Sequence, residues 1–83
     1  MIGYLTGEVI NVHEGVCLLN VSGVGYEVWV HTATEAEIFS QKHVSLYTHH
    51  VVREDMQSLY GFKTMRERDL FRIFLMLNLP FLR

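Results

Sequence analysis

The chain has 83 residues, of which 49% are hydrophobic and 12% aromatic, and its formal net charge is −2. Such a chain forms one small domain with a thin core, and its many apolar side chains exclude intrinsic disorder. The near-neutral charge excludes a whole-chain attraction for phosphates, so binding to nucleic acid would depend on a local arrangement of residues.

The single cysteine, Cys17, has no second cysteine with which to form an internal disulfide, which is typical of a reducing compartment. Its apolar neighbours predict a buried thiol that packs as a small hydrophobe. The N-terminus lacks the positive cluster of a signal peptide, and no apolar run approaches the ~20 residues of a membrane span. We therefore expect a cytoplasmic protein that makes no membrane contact.

Three strands are predicted in the first part of the chain, namely Tyr4–Val12, Val16–Val21 and Tyr26–His31. Gly7 interrupts the first strand, as a bend or bulge would. The second and third strands are joined at residues 22–25, where Gly23 and Gly25 accept a positive φ. In the third strand Tyr26, Val28 and Val30 alternate with Glu27, Trp29 and His31, which predicts one face in the core and one more exposed.

The middle of the chain predicts a short helical turn and then two more strands. Thr34 followed by Glu37 is a capping-box pattern. The strands cover Val44–Val52 and Met56–Phe62, with three charged residues between them. Five short strands with one longer link after the third are typical of an OB-type closed barrel. The predicted fold class is therefore all-β, a five-stranded barrel followed by one C-terminal α-helix.

The last segment predicts that helix. Thr64 and Glu67 form a capping box. The apolar side chains that follow sweep an arc of roughly 200° at the helical spacing, about twice the width that a surface helix needs: Leu70, Phe71, Ile73, Phe74, Leu75 and Leu77. We expect the helix to be covered on two sides and to end at Pro80.

The residue types of catalytic and metal sites are present without the required spacing. The five histidines (13, 31, 43, 49 and 50) lack zinc-site spacing, and the adjacent His49 and His50 should face opposite ways in a strand. We interpret all five as surface residues. No serine lies in a nucleophile elbow, and the glycines at 23 and 25 do not precede a helix. We therefore predict no catalytic residue, no cofactor and no metal.

The charged tripeptide Arg53, Glu54 and Asp55 is the informative feature. Adjacent carboxylates between two strands are most often a solvated turn. In an OB-type barrel, however, the loop between the fourth and fifth strands lies at the nucleic-acid-binding edge. Carboxylates there repel phosphate, so they make sense as an element that pushes strands apart or excludes the wrong shape.

At this point the sequence resembles the RuvA family, bacterial subunits that bind four-way DNA (Holliday) junctions. Four segments carry the resemblance: MIGYLTG at 1–7, VSGVGYEV at 21–28, THHVVRED at 48–55 and LYGF at 59–62. It continues through Glu67, Arg68, Leu70 and Phe71, and it spans residues 1 to about 78 in the right order and spacing. So many motifs in register are far more specific than a single short motif.

The resemblance implies a role in DNA recombination, DNA repair and the SOS response. Family members begin with an OB barrel, continue into two helix-hairpin-helix motifs, and end in a domain that contacts the ATP-hydrolysing motor RuvB. Four subunits form a homotetramer that holds the junction open. Glu54 and Asp55 match the acidic pin at the junction centre, and Arg53 is a neighbouring candidate for DNA contact. The subunit itself is not an enzyme.

The resemblance also implies two domains, at 1–63 for the barrel and 64–83 for the first helix of a truncated helix-hairpin-helix domain. Residues 79–83 depart from the glycine-rich hairpin of the family. We interpret the chain as a truncated or frame-disrupted member, or an expressed fragment, without the DNA-gripping hairpins and the RuvB-contacting domain. Strong junction binding and recruitment of the motor are then not expected of it.

Two alternatives remain open. One is a generic single-strand-binding OB module, which needs exposed aromatic side chains on a basic groove; the candidates are Tyr26, Trp29, Tyr47 and Tyr60. The other is an assembly module, in which the barrel and the apolar helix drive oligomerisation.

Overall fold

The computed structural model describes residues 1–78. Its elements in chain order are β1 (Tyr4–His13), β2 (Val16–Val21), β3 (Val24–Val30), α1 (Thr32–Ile38), β4 (His43–Val52), β5 (Gln57–Phe62) and α2 (Met65–Asn78). The strands close into a barrel in the order β1-β2-β3-β5-β4, with β4 pairing back onto β1. Only the β3–β5 pair is parallel within this barrel. The predicted all-β fold, an OB-type barrel with a C-terminal helix, is confirmed.

Alternation along the strands fills the barrel. In β3, Val28 and Val30 are buried, whereas the alternate residues Glu27 and Trp29 are exposed, as the sequence pattern predicts. Tyr26 is only partly buried and packs at the edge of the core. The buried hydrophobic side chains are Leu5, Cys17, Leu19, Val28, Val30, Ile38, Val44, Leu46 and Leu59. The interior is therefore a packed core that leaves the outer surface for binding.

Glycine positions required two corrections. The β2–β3 turn places Ser22 and Gly23 at φ values of 52° and 91°, whereas Gly25 lies within β3 without a positive φ. The irregularity in β1 falls between Val9 and Asn11, not at Gly7. Gly7 is needed for a different reason, because a Cβ there would collide with the backbone carbonyl oxygen of Asn20 on β2.

Helix α1 begins earlier than predicted, so the capping box at Thr34 and Glu37 is wrong. His31 is the N-cap, and its Nδ1 accepts a hydrogen bond of 3.1 Å from the backbone N–H of Ala33. Thr34 is 4% exposed within the helix, so it is not a capping residue. The reason is positional: His31 directly follows β3, and its ring satisfies a free N–H of the first turn.

Helix α2 begins as predicted. The backbone N–H of Glu67 donates to Thr64 Oγ1 over 3.1 Å, and the Thr64 hydroxyl donates to the Glu67 carboxylate over 3.1 Å. The expected stop at Pro80, and the departure of residues 79–83 from the family hairpin, lie outside the described residues. Within residues 1–78 no helix combines the length and the apolar character needed to cross a membrane.

Candidate nucleic-acid interface

The hairpin of β4 and β5 presents the charged tripeptide. The two strands stay in register out to Val52 opposite Gln57. The backbone N–H of Arg53 then donates to the carbonyl of Met56 over 2.8 Å, which closes the turn. Arg53, Glu54 and Asp55 are all exposed. The expected exposed turn between the last two strands is thus confirmed, and its role stays a prediction.

The carboxylates at this turn are not neutralised by a partner. Within residues 1–78 an ion pair joins Arg68 to Asp69, and a protonated His13 would pair with Glu14; neither contact involves the hairpin turn. A phosphate brought to about 4 Å from one of these carboxylates is repelled by ~1 kcal/mol in bulk water and by more beside a protein surface. The turn is therefore a place that a DNA phosphate avoids.

Charge is unevenly divided between the barrel and α2. Residues 1–63 contain three basic and seven acidic side chains, whereas residues 64–78 contain three arginines and two acidic side chains. The barrel alone therefore repels a polyanion, whereas α2 carries a small excess of positive charge.

The barrel holds α2 through contacts that sequence reasoning missed. Arg68 Nη1 donates to the carbonyl of Gly3 over 3.3 Å, and Arg72 Nε donates to Nδ1 of His49 over 3.1 Å. The ring of Phe71 lies between them against the barrel, with centroid distances of 5.1–5.8 Å to the rings of His49, Tyr60 and Phe62. The spacing of four between the two arginines was the available signal, because it places both on one helix face.

The interpretation of all histidines as surface residues is wrong for two of them. His49 and His50 are half-buried. His49 contacts α2, while His50 accepts a hydrogen bond at Nδ1 from the Ile2 N–H over 3.1 Å and bonds Gln57 over 2.9 Å. Burial, followed by the nearby Arg72 and Arg68 guanidinium groups and His50, lowers the pKa of His49 below its ordinary 6.5. The described residues contain no cluster of three or more potential metal ligands.

The helix has a second apolar face that points away from the barrel. Leu70, Ile73 and Phe74 are each more than half exposed, whereas Phe71 and Leu75 are partly buried on the barrel side. The barrel covers one side of the wide apolar arc that the sequence predicts. On the other side residues 1–78 supply no cover.

The four aromatic candidates of the single-strand-binding alternative do not lie together. Trp29 is half exposed on β3 and is paired in register with Tyr60 on β5. Tyr47 packs on the ring of Tyr4 at 5.2 Å, on the β1–β4 side. Tyr26 points toward the core edge. Only Trp29 and Tyr60 share a surface.

Comparisons with known proteins agree with the fold. A family model described as the RuvA N terminal domain matches residues 1–61. The relative from Acinetobacter baylyi named Holliday junction branch migration complex subunit RuvA is 47% identical over 78 residues, covering 94% of this chain and 39% of the relative. Proteins of the same name from Acinetobacter baumannii and Shewanella denitrificans are each 46% identical, with the same coverage.

The chain thus spans 39% of the length of the curated relatives that it matches. Identity near 46% along almost the whole chain, together with the family-model match, confirms the resemblance seen in the motifs. This chain belongs to the RuvA family, and it corresponds to the N-terminal part of those proteins.

Proposed function

We propose that this chain is the junction-facing barrel of a non-catalytic DNA-binding subunit that acts in Holliday-junction branch migration. The observation that carries the proposal is the exposed, unneutralised acidic turn of the β4–β5 hairpin on a family-typical barrel. The names of the relatives, which refer to Holliday junctions and to branch migration, support it.

In this proposal Glu54 and Asp55 form an acidic pin at the crossover of a four-way junction. Their charge keeps phosphates of the four strands from collapsing onto the centre, so the strands separate around the hairpin. Arg53, next to them, contacts DNA as the one cation of the turn. The pin thereby selects an open crossover over a continuous duplex.

The wider assignment follows the family. Residues 1–63 form the barrel domain, and residues 64–83 begin a helix-hairpin-helix domain. The subunit assembles as a homotetramer in the cytoplasm, recruits the motor RuvB through segments that lie in the remaining length of the relatives, and serves recombination, DNA repair and the SOS response. ATP hydrolysis belongs to the motor and not to this chain.

A hybrid protein tests this function, with residues 1–78 of this chain in place of the matching segment of the Acinetobacter baylyi relative. We expect the hybrid to bind a synthetic four-way junction in preference to a linear duplex of equal length, measured by gel shift. The chain alone should bind the junction weakly. A hybrid that binds both DNAs equally would contradict the function.

The pin is tested in the hybrid with Glu54→Gln/Asp55→Asn. Removing repulsion should leave junction affinity equal or tighter, while fluorescence energy transfer between labelled arms should report a less open crossover. The matched control, Glu14→Gln/Glu37→Gln, removes the same charge from exposed positions on the β1–β2 turn and in α1. If both double variants change the arm distances equally, the acidic turn is not a pin.

A further inference from the structure

A groove of about 740 Å³ lies between the β4–β5 hairpin and α2. This volume is within the range of roughly 300–1,000 Å³ typical of small-molecule sites. Its wall includes apolar and aromatic side chains from both elements together with two arginines: Met56, Tyr60, Phe71, Leu75, Arg53 and Arg72. The groove begins beside the acidic turn and runs back toward the helix.

The charge of the groove is opposite to that of its surroundings. The chain has nine acidic residues, all within the described part, and none of them lines the groove. Arg53, Arg72 and the N-terminal residue Met1 do line it. Glu54 and Asp55 follow Arg53 directly but lie outside it. An anion repelled by the turn is therefore attracted into the neighbouring groove.

The walls are suited to a flat aromatic ligand. The rings of Tyr60 and Phe71 both line the groove, with their centroids 5.4 Å apart and their planes tilted by 37°. Met56, 53% exposed at the end of the hairpin, adds a flexible thioether that packs well on aromatic rings. Bases stack on such surfaces with little sequence preference, and an arginine beside them binds the phosphate.

We propose that this groove binds one unpaired nucleotide of DNA, with the base against Tyr60, Phe71 and Met56 and the phosphate at Arg53. The source of such a nucleotide at a crossover rests on the proposed pin, whereas the binding chemistry rests on the groove itself. The hairpin then has two surfaces with opposite effects: its tip excludes phosphates, and its flank holds a nucleotide that leaves the stack.

The test uses the chain as it is and a fluorescein-labelled deoxythymidine decamer, with binding followed by anisotropy. Arg53→Gln and Met56→Gln should each weaken binding at least fivefold, and Arg53→Gln should also reduce the salt dependence by about one counterion. The matched controls are Arg66→Gln and Met65→Gln, at exposed positions on α2 outside the groove; Met65 is 51% exposed. Both controls should stay within twofold of the unsubstituted chain.

Four results would overturn the proposal. The first is no binding of the decamer, and the second is equal loss in all four variants, which indicates a diffuse electrostatic effect. The third is competition by a decaglutamate peptide as strong as that by unlabelled decamer, which indicates an anion site without base stacking. The fourth is a concentration-dependent shift of the Met56 methyl resonance without DNA, which would assign the groove to a second copy of the chain.

These outcomes separate the groove from the pin. The junction assay of the hybrid uses fully paired arms and the variants at Glu54 and Asp55, none of which lines the groove. If the decamer does not bind but the hybrid still prefers the junction, only the proposed nucleotide site is contradicted. If the hybrid shows no junction preference but the decamer still binds, only the proposed function is contradicted.

Discussion

Arg72 of α2 donates a hydrogen bond from Nε to Nδ1 of His49 on β4, over 3.1 Å. Arginine has no acceptor and is always protonated, so this bond exists only while Nδ1 of the histidine is unprotonated. The bond joins the helix to the barrel beside the ring of Phe71, which packs on the ring of the same histidine. Attachment of α2 is therefore coupled to the protonation state of one histidine.

Acid should weaken the fold through His49. Its pKa in the folded chain is lowered by burial and by Arg72, Arg68 and His50, so the unfolded chain binds the proton more readily. The contribution to stability is fully present above pH 6.5 and is lost as the pH falls through 6.5 toward the folded pKa. We expect the free energy of unfolding in urea to fall between pH 7.5 and pH 5.5. The fall should be larger in the unsubstituted chain than in the His49→Gln variant.

The control for this prediction is His13→Gln, at the exposed last residue of β1. This variant should retain the loss of stability at acid pH that His49 causes. A His49→Gln variant with an unchanged pH dependence would contradict the coupling.

Gly7→Ala should destabilise the barrel, because the added Cβ collides with the backbone carbonyl of Asn20 on the neighbouring strand. Backbone cannot yield as a side chain does, so we expect a loss of ~2–3 kcal/mol in the free energy of unfolding. Gly25→Ala is the control: it is an exposed position in β3 where the Cβ meets only Leu18 Cδ1 at 3.4 Å. Equal free energies of unfolding for the two variants would contradict this prediction, because β1 and β2 would then accommodate the added Cβ without cost.

Thr64→Ala should fray the start of α2. The substitution removes the acceptor for the Glu67 N–H and the hydroxyl that binds the Glu67 carboxylate, at a cost of ~1 kcal/mol. Amide exchange over residues 65–70 should accelerate, while exchange in the barrel strands stays the same. Thr64→Ser keeps the oxygen and should retain most of the protection; faster exchange in both variants would place the effect elsewhere.

Cys17 should be inert in the folded chain. The side chain is fully buried, and burial raises the pKa of its thiol to about 11, so the reactive thiolate is scarce at neutral pH. Reaction with a disulfide reagent at pH 7.5 should be slow in buffer and rapid in a denaturing concentration of urea. Rapid labelling in buffer, with the circular dichroism unchanged, would show that the thiol is accessible in the native barrel.

Local patterns were sufficient for most of the architecture. Alternation in β3 identified Val28 and Val30 as core residues, and Thr64 with Glu67 identified the start of α2. The same kind of pattern failed at Thr34 and Glu37, where the histidine that directly follows β3 is the cap. It also failed at Gly25, which lies in a strand, because a glycine permits a positive φ without requiring it.

The sequence by itself determined the barrel, its final helix and the position of the acidic turn, since strand alternation, turn residues and capping depend on neighbours within a few positions. Only the tertiary structure decided which surface α2 covers, how His49 meets Arg72, and that Arg53 and Met56 share a groove with Phe71. Those contacts join residues 15 or more positions apart, and they form because α2 packs back against the β4–β5 hairpin.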